Sequence, residues 1–110
     1  MRCLLKVSLP VERGNQAVEN GTLSATIEDI LADLKPEAAY FVAEGGMRTG
    51  IIVVDLKDSS EIPAIAEPWF LAFDAHVEFQ PAMNLEDLKK SASGMQRAVK
   101  KYGAARKRAA

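Results

Sequence analysis

The sequence predicts one domain of the α+β class, a single four-stranded antiparallel sheet with helices on one side. Three observations carry this. The chain has 110 residues, the size of one ordinary domain, and 48% of them are hydrophobic against 26% charged, the balance of a folded globular protein. Short apolar runs alternate with stretches of helical periodicity in the order strand, helix, strand, strand, helix, strand, helix. Between the second and third strands stands Gly45-Gly46, a pair suited to the positive φ angles of a tight hairpin turn.

The elements follow in order. Cys3 to Leu9 is rich in Leu and Val and stops at Pro10, which cannot donate to a sheet ladder, so it predicts the first strand. From Val11 to Leu34 the positions Leu23, Ile27, Ile30, Leu31 and Leu34 recur at helical spacing, and Lys35-Pro36 marks the end. Gly14 and Gly21 weaken the first half, which places a break or bend before Thr22. Glu37 to Glu44 and Met47 to Leu56 form the hairpin, and a two-residue turn sets Glu44 opposite Met47, Phe41 opposite Gly50 and Tyr40 opposite Ile51. The Phe41 ring is then expected to cover the bare backbone of Gly50. Asp58-Ser59-Ser60-Glu61 offers capping groups, and Pro63 suits a first helical turn. Ile62, Ile65, Trp69, Phe70 and Phe73 continue the helix to about Ala72, with a kink or early break expected near Glu67 because Pro68 lacks a donor. Ala75 to Gln80 alternates as a strand that Pro81 closes. Asn84 with Asp87 starts a last helix, whose stripe is Leu85, Leu88, Ala92, Met95, Val99 and Tyr102.

Composition excludes several functions. The longest apolar runs are four or five residues, far short of the roughly 20 that cross a bilayer. No signal-peptide stretch precedes the second charge, so a cytoplasmic location is expected. With Cys3 as the single cysteine and His76 as the single histidine, no metal site of several Cys or His is available, and no metal or other cofactor is expected. Charge is uneven. Residues 1–83 hold 6 basic and 13 acidic side chains, while residues 84–110 hold 8 and 2. Lys89, Lys90, Arg97, Lys100, Lys101, Arg106, Lys107 and Arg108 form the basic cluster. Without aromatic interleaving beyond Tyr102, that cluster reads as a solvated helix end rather than a nucleic-acid arm.

A β-α-β-β-α-β order in about 80 residues is the pattern of the ferredoxin-like split motif. In the third strand, Ile51-Ile52-Val53-Val54 is apolar on both faces, whereas a sheet wet on one side alternates. The second face therefore needs a cover, and the simplest is the same face of a second copy in a closed two-fold homodimer. In this order, and in the phrases Pro68-Trp69-Phe70-Leu71-Ala72-Phe73 and Val77-Glu78-Phe79-Gln80-Pro81-Ala82-Met83, the chain resembles the dimeric α/β-barrel superfamily, in particular a branch of small bacterial domains of no known activity. The resemblance spans residues 2 to about 83. It implies a dimeric barrel, to which residues 84–110 add the extra C-terminal helix, and it leaves open monooxygenase, isomerase, haem-degrading, stress-response and binding roles.

Alternation turns Cys3, Leu5, Val7, Leu9, Ala39, Phe41, Ile52, Val54, Ala75, Val77 and Phe79 toward the helices. Lys6, Ser8, Tyr40, Val42, Thr49, Ile51, Val53, His76 and Glu78 take the other face. Enclosed in a dimer, that face would wall a small-molecule cavity. The leading expectation is a homodimeric domain that holds a small apolar or carbonyl-bearing molecule, with Lys6, Thr49, Ile51 and Trp69 as ligand-binding residues. The alternative is an isomerase or cofactor-independent monooxygenase in which His76 and Glu78 serve as base and orienter while Tyr40 or Lys6 donates to an oxyanion. Against both stands the plain possibility that His76 and Glu78 are polar residues of an exposed strand. Cys3, on the helix-facing side, reads as apolar filler rather than a nucleophile.

Overall fold

The computed structural model describes the backbone of residues 1–109 and the side chains of residues 1–106, so the side chains of Lys107 and Arg108 lie outside the described part. Its elements are β1 (Arg2–Ser8), α1 (Val11–Glu19), α2 (Leu23–Leu34), β2 (Ala38–Glu44), β3 (Met47–Asp55), α3 (Ile62–Phe73), β4 (His76–Pro81), α4 (Leu85–Lys90) and α5 (Ala92–Ala109). A single 3-10 turn, Ser59–Glu61, leads into α3. The four strands form one open antiparallel sheet in the order β2-β3-β1-β4, an α+β architecture compatible with a ferredoxin-like fold. Among the described residues, no helix is long and apolar enough to cross a membrane.

The hairpin register is the expected one. Glu44 pairs with Met47, Phe41 with Gly50 and Tyr40 with Ile51, and both turn glycines have positive φ (58° and 76°). A Cβ at Gly50 would lie 3.4 Å from the Phe41 ring, so the ring does rest on this bare stretch of backbone. The first helical region is two helices. Gly21, at φ 73°, turns the chain between α1 and α2, while Gly14 stays inside α1 and is buried.

Three expectations need correction. The early break near Glu67 does not occur: helix α3 runs from Ile62 to Phe73 with Pro68 inside it, and Ile65, Trp69 and Phe73 pack in the core. Phe70 does not join that core: it falls off the buried stripe and is exposed. The last helix divides at Ser91, and the stripe Leu85, Leu88, Met95, Val99 and Tyr102 is exposed instead of packed. Its start is as expected, because Asn84 Oδ1 accepts from Asp87 N at 2.9 Å while Asp87 Oδ2 accepts from Asn84 N at 3.0 Å. A second cap precedes α3, where Asp58 Oδ2 accepts from Ser60 N at 3.0 Å and Glu61 Oε1 accepts from Asp58 N at 2.9 Å.

The core lies between the sheet and helices α1 to α3. Cys3, Leu5, Val7 and Leu9 of the first strand region meet Ile52, Val54, Leu56, Ile65, Trp69 and Phe73 there, all buried. Trp69 and Phe73 stack with ring centroids 6.3 Å apart. Among the described residues, no such layer covers the opposite side of the sheet.

Candidate functional site

Two places in the molecule could hold a ligand, one on each side of the sheet. On the open side, strand pairing places Tyr40, Ile51, Lys6 and Glu78 in one row across β2, β3, β1 and β4. The next row is Val42, Thr49, Ser8 and His76. His76 and Glu78 therefore share the β4 edge, whereas Tyr40 stands on the β2 edge. Three strand spacings of about 4.8 Å, roughly 14 Å, separate them. Within the chain the sequence-derived trio of His76, Glu78 and Tyr40 does not converge, and all three side chains are exposed, Tyr40 to 67%.

Lys6 and Thr49 behave differently. Lys6 Nζ lies 2.9 Å from Glu44 Oε2, so an ion pair reaches from β1 to β2 over the intervening β3. That contact, with Glu78 adding a weaker attraction, raises the Lys6 ammonium above its ordinary range. Thr49, on the strand being crossed, is only 3% exposed and donates its hydroxyl to the Met47 carbonyl at 3.1 Å. A second ionic cluster closes the other end of this face. Arg2 makes a two-pronged contact with Glu37 at 3.0 and 3.1 Å and reaches Asp87 at 3.5 Å, while the terminal ammonium meets Asp55 at 3.1 Å. Between the two clusters lie the apolar side chains of Leu4, Ala38, Tyr40, Ile51 and Val53.

The other place lies on the helix side, at the hairpin end. A cavity of about 390 Å3 opens between α2, β2, β3 and α3, and its wall includes Leu9, Leu23, Ile27, Phe41, Arg48 and Trp69. Phe41 faces the helix side, as alternation predicts, and stands over this gap, where it is 54% exposed. Thr49 and Trp69, both sequence-derived ligand-binding residues, line the cavity, whereas Lys6 and Ile51 belong to the open face. Trp69 is 1% exposed, and its Nε1 has no hydrogen-bond partner among the described residues.

Sequence reasoning missed Arg48. It pairs with Ala43 at the end of β3, so its side chain points to the helix side. There its guanidinium donates to Asn15 Oδ1 at 3.1 Å. It also lies against α1 where Gly14 leaves room, since a Cβ at Gly14 would come within 2.7 Å of Arg48 Nη1. An arginine at an alternating apolar-facing position of β3, together with a glycine inside a helix, was the available signal. Among the described residues no group of three His, Cys, Asp or Glu gathers as a metal site. Neither a family model nor a curated protein matches this chain.

Proposed function

We propose that the protein is a small homodimeric binding domain in which the open sheet faces of two copies close on each other around a small apolar or carbonyl-bearing molecule. The observation that supports this reading is the uncovered band of Leu4, Ala38, Tyr40, Ile51 and Val53, held between the Lys6–Glu44 and Arg2–Glu37 clusters. An apolar strip rimmed by charge on one face of a sheet is the usual form of an interface. A two-fold axis parallel to the strands would lay the β2 edge of one protomer over the β4 edge of its partner. Tyr40 would then meet His76 and Glu78 across the pairing, which one protomer alone keeps apart. The lumen so formed would have an apolar floor and a few polar groups at its edge, the composition of a small-molecule site.

Sedimentation equilibrium tests the pairing. The native chain is expected at about twice its 11.9 kDa mass, and Ile51→Glu at the monomer mass with unchanged circular dichroism. Native mass spectrometry of the dimer as purified then reports any retained small molecule. A native chain that stays monomeric at micromolar concentration would overturn the reading.

A further inference from the structure

We infer that the helix-side cavity is a binding site for an amphipathic monocarboxylate, its apolar body buried against Leu23, Ile27, Phe41 and Trp69 and its carboxylate held by Arg48. The site is separate from the proposed dimer lumen, on the opposite side of the sheet, and stands or falls without it.

Three features of the molecule carry the assignment. First, the cavity has the volume of a small-ligand site, and nearly all of its wall is apolar. Second, its one charged wall residue is a guanidinium without a counter-ion. Among the described residues Arg48 forms no ion pair, and its one side-chain hydrogen bond goes to the neutral Asn15, leaving donors of the planar fork unused. A half-buried arginine in such a setting matches a carboxylate, which takes two parallel donors. Gly14 and Asn15 hold the group in place before any ligand arrives, which lowers the ordering cost of binding. Third, Trp69 stands in the same wall with a buried indole N–H that lacks an acceptor. A buried donor is normally satisfied, and this indole N–H finds no acceptor among the described residues.

One cation and one apolar wall also define what the site rejects. A phosphate monoester would bring about two charges against a single arginine. A plain hydrocarbon or alcohol would fill the cavity but leave Arg48 unpaired and partly desolvated, which penalises binding.

Trp69 is the chain's single tryptophan, so its fluorescence reports occupancy directly. Titration with octanoate, octanol and acetate separates the contributions of head group and body. Octanoate is expected to give a saturable change and to bind at least about tenfold more tightly than octanol, a difference of about 1.4 kcal/mol, while acetate gives none. Arg48→Gln should remove the preference for octanoate over octanol. Asn15→Asp, an exposed substitution that gives Arg48 a carboxylate of its own, should weaken octanoate in the same way and serves as the test if Arg48→Gln does not fold. The same titration on monomeric Ile51→Glu should be unchanged, which separates this site from the dimer lumen. No saturable response to octanoate, equal affinity for octanol, or a preference that survives in both variants would overturn the assignment.

Discussion

Leu4 and Leu5 are neighbours on one strand and live in different environments. Leu5 is fully buried under α1 to α3, while Leu4, one residue earlier and turned to the other side, is only partly covered and has no layer above it. The same division runs along β3, where Ile52 and Val54 are buried and Ile51 and Val53 are not. A strand that is apolar on both sides has been given one partner layer by its own chain. The chain's packed core therefore lies on one face of the sheet, whereas apolar side chains of the other face stay half-exposed.

The sharpest way to break that contrast is to shorten both leucines. Leu5→Ala should cost about 2–5 kcal/mol in urea unfolding, because the tightly packed surroundings cannot close over the lost volume. Leu4→Ala, measured on the Ile51→Glu background so that association does not contribute, should cost less than about 1 kcal/mol. Equal losses would mean that the open face is covered within the protomer after all.

Acid should act mainly at the charged rim of the open face and at the helix caps. Arg2 holds the Glu37 carboxyl below its ordinary value, first by hydrogen bonding and then by charge. Hydrogen bonds from the Ser60 hydroxyl and amide do the same for Asp58. A carboxylate whose folded pKa is depressed contributes stability that is fully present above its unfolded pKa and is lost as pH falls through the folded one. The loss should therefore set in below the ordinary values of 4.5 for Glu37 and 3.8 for Asp58 and continue beneath them. Both groups are solvent-exposed, so the change in urea midpoint is expected to be small. Arg2→Met should make the decline shallower by removing the Glu37 share. An unaltered acid limb in that variant would show that the rim contact adds nothing in solution.

Local structure was legible in the sequence where short-range chemistry dictates it. Gly45-Gly46 set the hairpin and its register, and Asn84 with Asp87 marked a helix start, since each depends on a few adjacent residues. The errors are longer-ranged. Pro68 was read by its missing donor, but the helix runs on past it, with Trp69 and Phe73 packed in the core. The stripe of α5 reads as a buried face, yet among the described residues nothing packs over it. For the candidate sites, alternation placed Tyr40, His76 and Glu78 on one face but could not give the strand order that puts them on opposite edges. Arg48 escaped notice because its role depends on Asn15 and Gly14, more than thirty residues earlier, and on a cavity that is a tertiary feature.

The smallest expected effect comes from the C-terminal end. Helix α5 makes its contacts chiefly with α4, and Met95, Val99 and Tyr102 along it are exposed. Removing residues 103–110 leaves that stripe intact and takes away three basic residues, so the formal net charge falls from −1 to −4. Exposed charges are screened within about 8 Å at physiological salt, and the described side chains of residues 103–106 are exposed. The truncated chain should therefore unfold at the same urea midpoint as the native one and sediment in the same oligomeric state. A lower midpoint would mean that the basic end folds back on the acidic remainder of the chain, where residues 1–83 carry a net −7, and the open sheet face would be the natural place for it to rest. Raising the salt concentration distinguishes the two cases, since a midpoint difference carried by those charges shrinks with screening and one carried by apolar packing does not.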